Sequence, residues 1–259
     1  MTDTEQAHQL RKLAIIPAYN EEGMVGQVVR GIRRHAPEFD IVVVDDGSTD
    51  RTFAEASAEG VTVIRHPFNL GIGGAMQSGF KYAAANEYDV AAQVDGDGQH
   101  KPAYLNDLLE ALHTSGKADM VCGSRFREDP GYKVPIGRRI TDPTSGFRMT
   151  NRRGIELFAR DYPHDYPEVE AILMLHAHSL RLHEVPVRMN ARGFGRSSID
   201  YPRSAYYMAK VLLALFVGLF RKRPTPSHEP PDRPEGQPVA PAAATAAPSE
   251  ESGPAAVGR

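Results

Sequence analysis

Short, continuous apolar runs rich in β-branched residues punctuate the first half of the chain, at residues 13–16, 41–44, 61–64, 90–94 and 120–122. Between them lie longer segments of helical character, at 24–34, 50–58, 74–85 and 102–114. A strand that is apolar along its whole length is covered on both sides. The alternation therefore predicts an α/β fold, a mostly parallel central sheet with helices on both faces. Ser48 or Thr49 is expected to cap the second helix. Pro102 fits the first turn of the fourth, where its missing N–H costs nothing.

In such sheets ligands bind outside the carboxyl ends of the strands. The residues at those ends are PAYNEE (17–22), DDGSTD (45–50), RHPFNLGIGGA (65–75) and DGDGQH (95–100). Three of the four are acidic. An acidic rim suits a cation, a ribose or a base edge, and repels a bare phosphate unless a metal or arginines intervene.

Spacing removes several readings of these motifs. A dinucleotide fingerprint needs G-x-G-x-x-G after the first strand. Here Gly71-Ile72-Gly73 follows the third, and Met76 stands where the last glycine belongs. The glycines at 71, 73 and 74 are expected instead to let a helix start close against the sheet. No P-loop pattern occurs. An EF-hand counted from Asp95 would need glycine at His100 and glutamate at Asn106. If extended geometry persists beyond the fourth strand, Asp95 and Asp97 project to one side, with Gln99 adding an amide oxygen. Oxygen-only donors select Mg²⁺ or Mn²⁺. Asp-Gly is also a common turn pair, so a plain turn stays open on these residues alone. Asp45 is open in the same way, as a turn former or a ligand.

Composition then removes whole classes. The chain has 259 residues, 41% of them hydrophobic, enough to bury the core of one domain. A formal net charge of −3 gives no footing for nucleic-acid binding. The single cysteine, Cys122, excludes an internal disulfide and is expected to be a small buried hydrophobe. Residues 1–10 are polar and lack a signal-peptide core, which predicts a cytoplasmic protein. Residues 224–259 are dominated by Pro, Ala, Gly, Ser and Glu and are expected to form a disordered tail.

Taken in order, each at a strand end, PAYNEE, DDGSTD, NLGIGGA and DGDGQH resemble the family 2 glycosyltransferases of the GT-A fold. The nearest resemblance is to dolichyl- and polyprenyl-phosphate sugar transferases and bacterial cell-envelope glycosyltransferases. It spans Arg11 to Ser198 and includes DPTSGF (142–147) and the run Arg192, Gly195, Ser197. The catalytic domain is accordingly expected at residues 11–200.

The resemblance implies an inverting, metal-dependent transfer from a nucleotide-diphosphate sugar to a polyprenyl phosphate or an envelope glycan. It implies that Pro17, Tyr19, Glu21, Val44 and Asp46 hold the nucleoside. Asp95 and Gly96 would sit beside the nucleotide sugar, and Asp97 and Gln99 would bind Mg²⁺ or Mn²⁺. Arg125 falls at the position of an arginine near the donor or acceptor phosphate, and Arg138 or Arg139 at a second. Arg192 falls at a third, on a loop that closes over the diphosphate. At Ser198, where phosphate-binding relatives carry lysine, Arg196 two positions earlier is expected to substitute.

Asp97, Arg125, Asp142 and Glu168 are thus the candidate catalytic residues. Asp142 and Glu168 or Glu170 are the carboxylates available should a hydroxyl acceptor need a base. A lipid phosphate needs none. Relatives carry about twenty more residues ahead of DPTSGF, enough to lie on a membrane, whereas here IGRRI runs straight into TDPTSGF. That shortening keeps a second class in view, a non-catalytic nucleotide-sugar-binding or scaffold protein with an incomplete acceptor site.

Residues 205–220 form the most apolar stretch, interrupted by Lys210 and flanked by Arg203 and by Arg221, Lys222 and Arg223. It is too short to span a bilayer. The pattern predicts an amphipathic helix over 201–223, lying on the cytoplasmic membrane face or buried in a homodimer.

Overall fold

The computed structural model describes residues 10–114, 118–126, 132–133, 139–164 and 166–190. The chain divides after Arg223 into two units, and all of these residues belong to the first. Its first half alternates strand and helix: β1 (Lys12–Ala18), α1 (Val25–His35), β2 (Phe39–Asp45), α2 (Thr52–Ala58), β3 (Thr62–Arg65), α3 (Gly71–Ala85) and β4 (Val90–Gln93). A 3₁₀ turn opened by Pro102 leads into α4 (Leu105–Thr114) and β5 (Met120–Ser124). Then come β6 (Tyr132–Lys133), β7 (Arg139–Ile140), β8 (Arg148–Asn151), α5 (Arg152–Arg160), α6 (Pro167–Ala177) and β9 (Leu182–Pro186).

Seven strands form one sheet in the order β3-β2-β1-β4-β8-β5-β9, and β6 pairs with β7 apart from it. Within the seven-stranded sheet the pairings are parallel except those of β8, which runs antiparallel to both β4 and β5. Alternation along β1 builds two cores. Ala14 and Ile16 pack on one face with Val25, Val29 and Ile32 of α1 and Leu105 and Leu108 of α4. Leu13 and Ile15 pack on the other with Met76 and Phe80 of α3 and Ile155 and Phe158 of α5. Each such side chain contributes roughly 1.5–3 kcal/mol when fully buried, so the layered α/β arrangement expected from the apolar runs is what holds the sheet.

In α1 the apolar residues recur every three or four positions, leaving Arg30, Arg33 and Arg34 exposed on the opposite face. Close approach to the sheet falls on a different glycine from those expected. A Cβ at Gly79 would collide with Ile15, whereas one at Gly73 would strike the backbone of Pro163 and His164.

Candidate active site

The strand order turns at β1, with β2 on one side and β4 on the other. Loops that leave neighbouring strands for opposite faces part there, and a crevice opens. A cleft of about 250 Å³ occupies that place. Pro17, Tyr19 and Glu21 line it from the end of β1, and Asp46 from the end of β2. Asn69 and Ile72 enter from the start of α3, and Asp95, Gly96 and Asp97 from the end of β4. Tyr19 stays 46% exposed, offering an uncovered ring to a flat ligand.

The wall after β1 is laced to the loop after β2. Four successive backbone N–H groups, from Asn20 to Gly23, donate to Ser48 Oγ (3.0 Å), Thr52 Oγ1 (2.8 Å), Asp50 Oδ2 (3.1 Å) and Glu55 Oε2 (2.7 Å). Asn20, at φ 55°, accepts in return from Thr49 N at 2.9 Å. Ser48 and Thr49 are therefore committed to this lacing and do not cap α2. Asp50 Oδ1 accepts from Thr52 N in their place, at 2.9 Å.

Asp46 fixes the third wall. Its buried carboxylate accepts from Leu70 N (2.9 Å), Gly71 N (2.8 Å) and the His66 ring (2.7 Å), and His66 passes on to Ser78 Oγ at 2.9 Å. Asp45, fully buried, accepts from Ser48 N at 3.0 Å and lies 3.1 Å from Arg65 Nε, so it shapes the turn.

Extended geometry does not persist into the acidic motif, because β4 ends at Gln93. Gly96 N still donates to Pro17 O at 3.2 Å, and the chain then turns through Gly98 at φ 75°. Asp97 Oδ1 accepts from Gln99 N at 3.0 Å, an Asx turn. His100 Nδ1 accepts from Asp95 N at 3.0 Å, and its ring stacks on Phe147. Turn and site are thus the same residues, with both aspartates reaching the cleft from one tight loop. Gln99 is not among the lining residues, and its carbonyl accepts from Asn190 N at 2.9 Å.

Among the described residues no three His, Cys, Asp or Glu side chains converge to enclose an ion. Two carboxylates at one end of a cleft nevertheless suit a hard cation whose remaining ligands are diphosphate oxygens and water, the usual habit of Mg²⁺. The donor set fits.

Of the residues expected on the acceptor side, Asp142 is buried and Arg125, itself exposed, is paired with it. Arg125 grips Asp142 through Nε (2.7 Å to Oδ2) and Nη2 (2.8 Å to Oδ1), and Arg125 N donates to the same carboxylate at 3.1 Å. Glu184 of β9 holds the backbone beneath, accepting from Thr141 N and Asp142 N. Burial by itself would raise the Asp142 carboxyl, but the hydrogen bonds and charge of Arg125 outweigh it and hold the group below its ordinary value. At 1% exposure and fully engaged, Asp142 is spent on the architecture of its loop and is not placed as a base. Arg125, although exposed, commits Nε and Nη2 to Asp142 and does not line the cleft.

Glu168, in the first turn of α6, is raised above its ordinary value by burial first, with the charge of Arg148 opposing and that of Asp95 adding. It too lies outside the lining. Val44, expected at the nucleoside, is fully buried in the core beside α3, because its strand side chain points away from the rim. Arg138, Arg192 and Arg196, the helix expected over 201–223 and the tail lie outside the described residues, as does the side chain of Arg139. Among the described residues no helix is long and apolar enough to cross a membrane.

One residue of this region is not singled out by the motifs. Arg148, directly after DPTSGF, is 4% exposed. It opens β8, in the middle of the sheet, and its only mark in the sequence is its place directly after DPTSGF.

Residues 13–166 match the model of glycosyl transferase family 2. The undecaprenyl-phosphate mannosyltransferase of Micrococcus luteus is 32% identical over 74% of this chain and 88% of its own. The UDP-N-acetylglucosamine–dolichyl-phosphate N-acetylglucosaminyltransferase of Methanococcus voltae is 28% identical over 67% and 83%. Among solved structures, glucosyl-3-phosphoglycerate synthase of Mycobacterium tuberculosis, in complex with Mn²⁺, UDP-glucose and phosphoglyceric acid, superposes with a TM-score of 0.60. That match has 20% identity over 81% of this chain and 79% of the other.

Proposed function

The chain belongs to glycosyl transferase family 2 and has its GT-A fold, and from that premise we propose a specific reaction. The protein moves a hexosyl group from a nucleotide-diphosphate sugar, bound in the cleft, to a polyprenyl phosphate, with inversion and with Mg²⁺ or Mn²⁺. The observation that carries this reading is the cleft itself, where Tyr19, Glu21 and Asp46 face Asp95, Gly96 and Asp97 across the switch point of the sheet. Two relatives whose names give a polyprenyl or dolichyl phosphate as acceptor support the choice of acceptor.

Tyr19 and Ile72 offer apolar surface to the base, while Glu21 and Asp46 offer acceptors to base and ribose. Gly96 leaves the floor open, since a Cβ there would crowd Pro17 O at 3.1 Å and Ala18 at 3.3 Å. Asp97, with Asp95 beside it, would hold the metal, which when bound neutralises the diphosphate as it leaves. An acceptor phosphate oxygen attacks the anomeric carbon as the bond from that carbon to the diphosphate oxygen breaks, releasing the nucleoside diphosphate. The attacking group is already an anion, so no residue has to remove a proton. That agrees with the engagement of Asp142 by Arg125. A lipid acceptor places the reaction at the cytoplasmic face of the membrane.

A panel of nucleotide sugars with Mg²⁺ or Mn²⁺, with and without polyprenyl phosphate, tests the proposal. Transfer that needs the lipid phosphate and is abolished by Asp97→Ala, with the fold intact by circular dichroism, is the expected result. Undiminished transfer by Asp97→Ala would sink the assignment. Donor binding without transfer to any acceptor would point to the non-catalytic class.

A further inference from the structure

Arg148 is a buried cation with one unmet donor. Nε donates to Ser145 O at 2.6 Å and Nη2 to Pro143 O at 3.1 Å, while Nη1 has no hydrogen-bond partner among the described residues. An arginine that reaches two carbonyls two residues apart fixes the Pro143–Thr144 and Ser145–Gly146 peptides, and with them the path of the chain into Gly146. Gly146 is where that path meets Asp95, a residue of the cleft lining. A Cβ on it would lie 2.9 Å from Gln93 Nε2 and 3.1 Å from Asp95 Oδ2. Gln93 in turn donates to Asp95 Oδ1 at 2.9 Å and stands opposite Arg148 in the ladder between β4 and β8.

We propose that Arg148 is a positioning residue for the donor site, acting through the Pro143–Gly146 loop and Gln93 to set the Asp95 carboxylate against the cleft. The proposal rests on the donor reading given above. Arg148 itself touches no ligand. Its fork holds the loop, the loop presents a backbone without a side chain to Asp95 and Gln93, and Gln93 donates to the carboxylate. The electrostatics agree with this grouping, since the Arg148 and Asp95 charges are both felt at Glu168 of α6 and at Tyr162 between α5 and α6.

The test is calorimetric titration of the full chain with UDP and with GDP, each with Mn²⁺, alongside thermal unfolding. Wild type is compared with Arg148→Lys, Gly146→Ala, Asp95→Asn and the Asp95→Asn/Arg148→Lys double variant. Lysine keeps the charge but cannot hold both carbonyls. Gly146→Ala keeps the fork but presses a methyl group onto Asp95.

Arg148→Lys and Gly146→Ala are each expected to weaken nucleotide binding tenfold or more while remaining folded at the assay temperature. The double variant is expected to bind no more weakly than Asp95→Asn alone, because Arg148 works through that carboxylate. Losses that add in full, or an Arg148→Lys variant that binds like wild type, overturn the positioning role while leaving the donor reading intact. Wild-type protein that binds neither nucleotide overturns the donor reading and this inference with it.

Discussion

Arg125 and Asp142 close on each other as a two-point pair, Nε to Oδ2 at 2.7 Å and Nη2 to Oδ1 at 2.8 Å, across the mouth of the loop that leads into β8. The pair joins the end of β5 to that loop, and Thr144 Oγ1 receives a further bond from Arg125 Nη2 at 3.0 Å. Removing the arginine leaves a buried carboxylate unpaired. Arg125→Ala is expected to cost about 1–3 kcal/mol at neutral pH, read by urea unfolding. The Asp142 carboxyl is depressed in the folded state, so its contribution is present above the ordinary value of 3.8 and is lost as pH falls through the folded value. The gap between wild type and Arg125→Ala should accordingly narrow in strongly acidic buffer.

Asp46 gathers three donors onto one carboxylate, from Leu70, Gly71 and His66. Asp46→Ala strands all three, and water reaches them because the cleft is open. A loss of about 2 kcal/mol is expected, with faster proteolytic cutting in the loop at Phe68, which is already well exposed. Equal cutting rates in the two proteins would show that the loop is held by other means.

Glu168 provides a separate pH signature. Its carboxyl is raised by burial, so the folded state favours the protonated form. Stability from that group is full below the ordinary value of 4.5 and is lost as pH rises through the folded value. Glu168→Gln, a neutral mimic, should raise the unfolding temperature at pH 7–8 and make little difference near pH 4. The same variant should keep its transfer to polyprenyl phosphate. An inactive but stabilised protein would assign Glu168 a chemical role.

Cys122 lies buried on β5, and burial raises its thiol above the ordinary range. Iodoacetamide at pH 8 should leave the native protein unlabelled over hours and label it at one site in urea, as read by intact mass. Prompt native labelling would mean that β5 opens far below the global unfolding free energy.

Much of this was legible in the sequence where the hydrophobic signal was continuous. The runs at 13–16 and 41–44 mark the centres of β1 and β2, which each extend a little beyond them. The expected start of α3 at residue 74 moves to Gly71, whose φ of 82° lets the chain enter the helix directly from the Asp46 anchor. β8 was not legible, because RMTN is not an apolar run. Arg148 and Thr150 are buried there through hydrogen bonds to Ser145, Pro143 and Asp119 carbonyls, which no periodicity announces. The cleft-lining aspartates were found by motif, but for a partly mistaken geometric reason. They share the site through a turn and not through strand alternation. The engagement of Asp142 by Arg125 depends on a loop closing on a strand end 17 residues away, a pairing that spacing alone does not encode.

The reversed direction of β8 has a consequence for how this rim can change. In a wholly parallel sheet, one rim receives only the exits of strands. A reversed strand brings an entrance to the same rim. Had β8, four residues long, run with its neighbours, residues 142–147 would have opened about 14 Å away, on the far side of the sheet. As it is, the peptide that arrives before β8 meets the peptides that depart from β4 and β5. Insertions or deletions upstream of β8 can thus remodel one half of the rim while the packed strands beneath, and the donor half beside it, stay as they are.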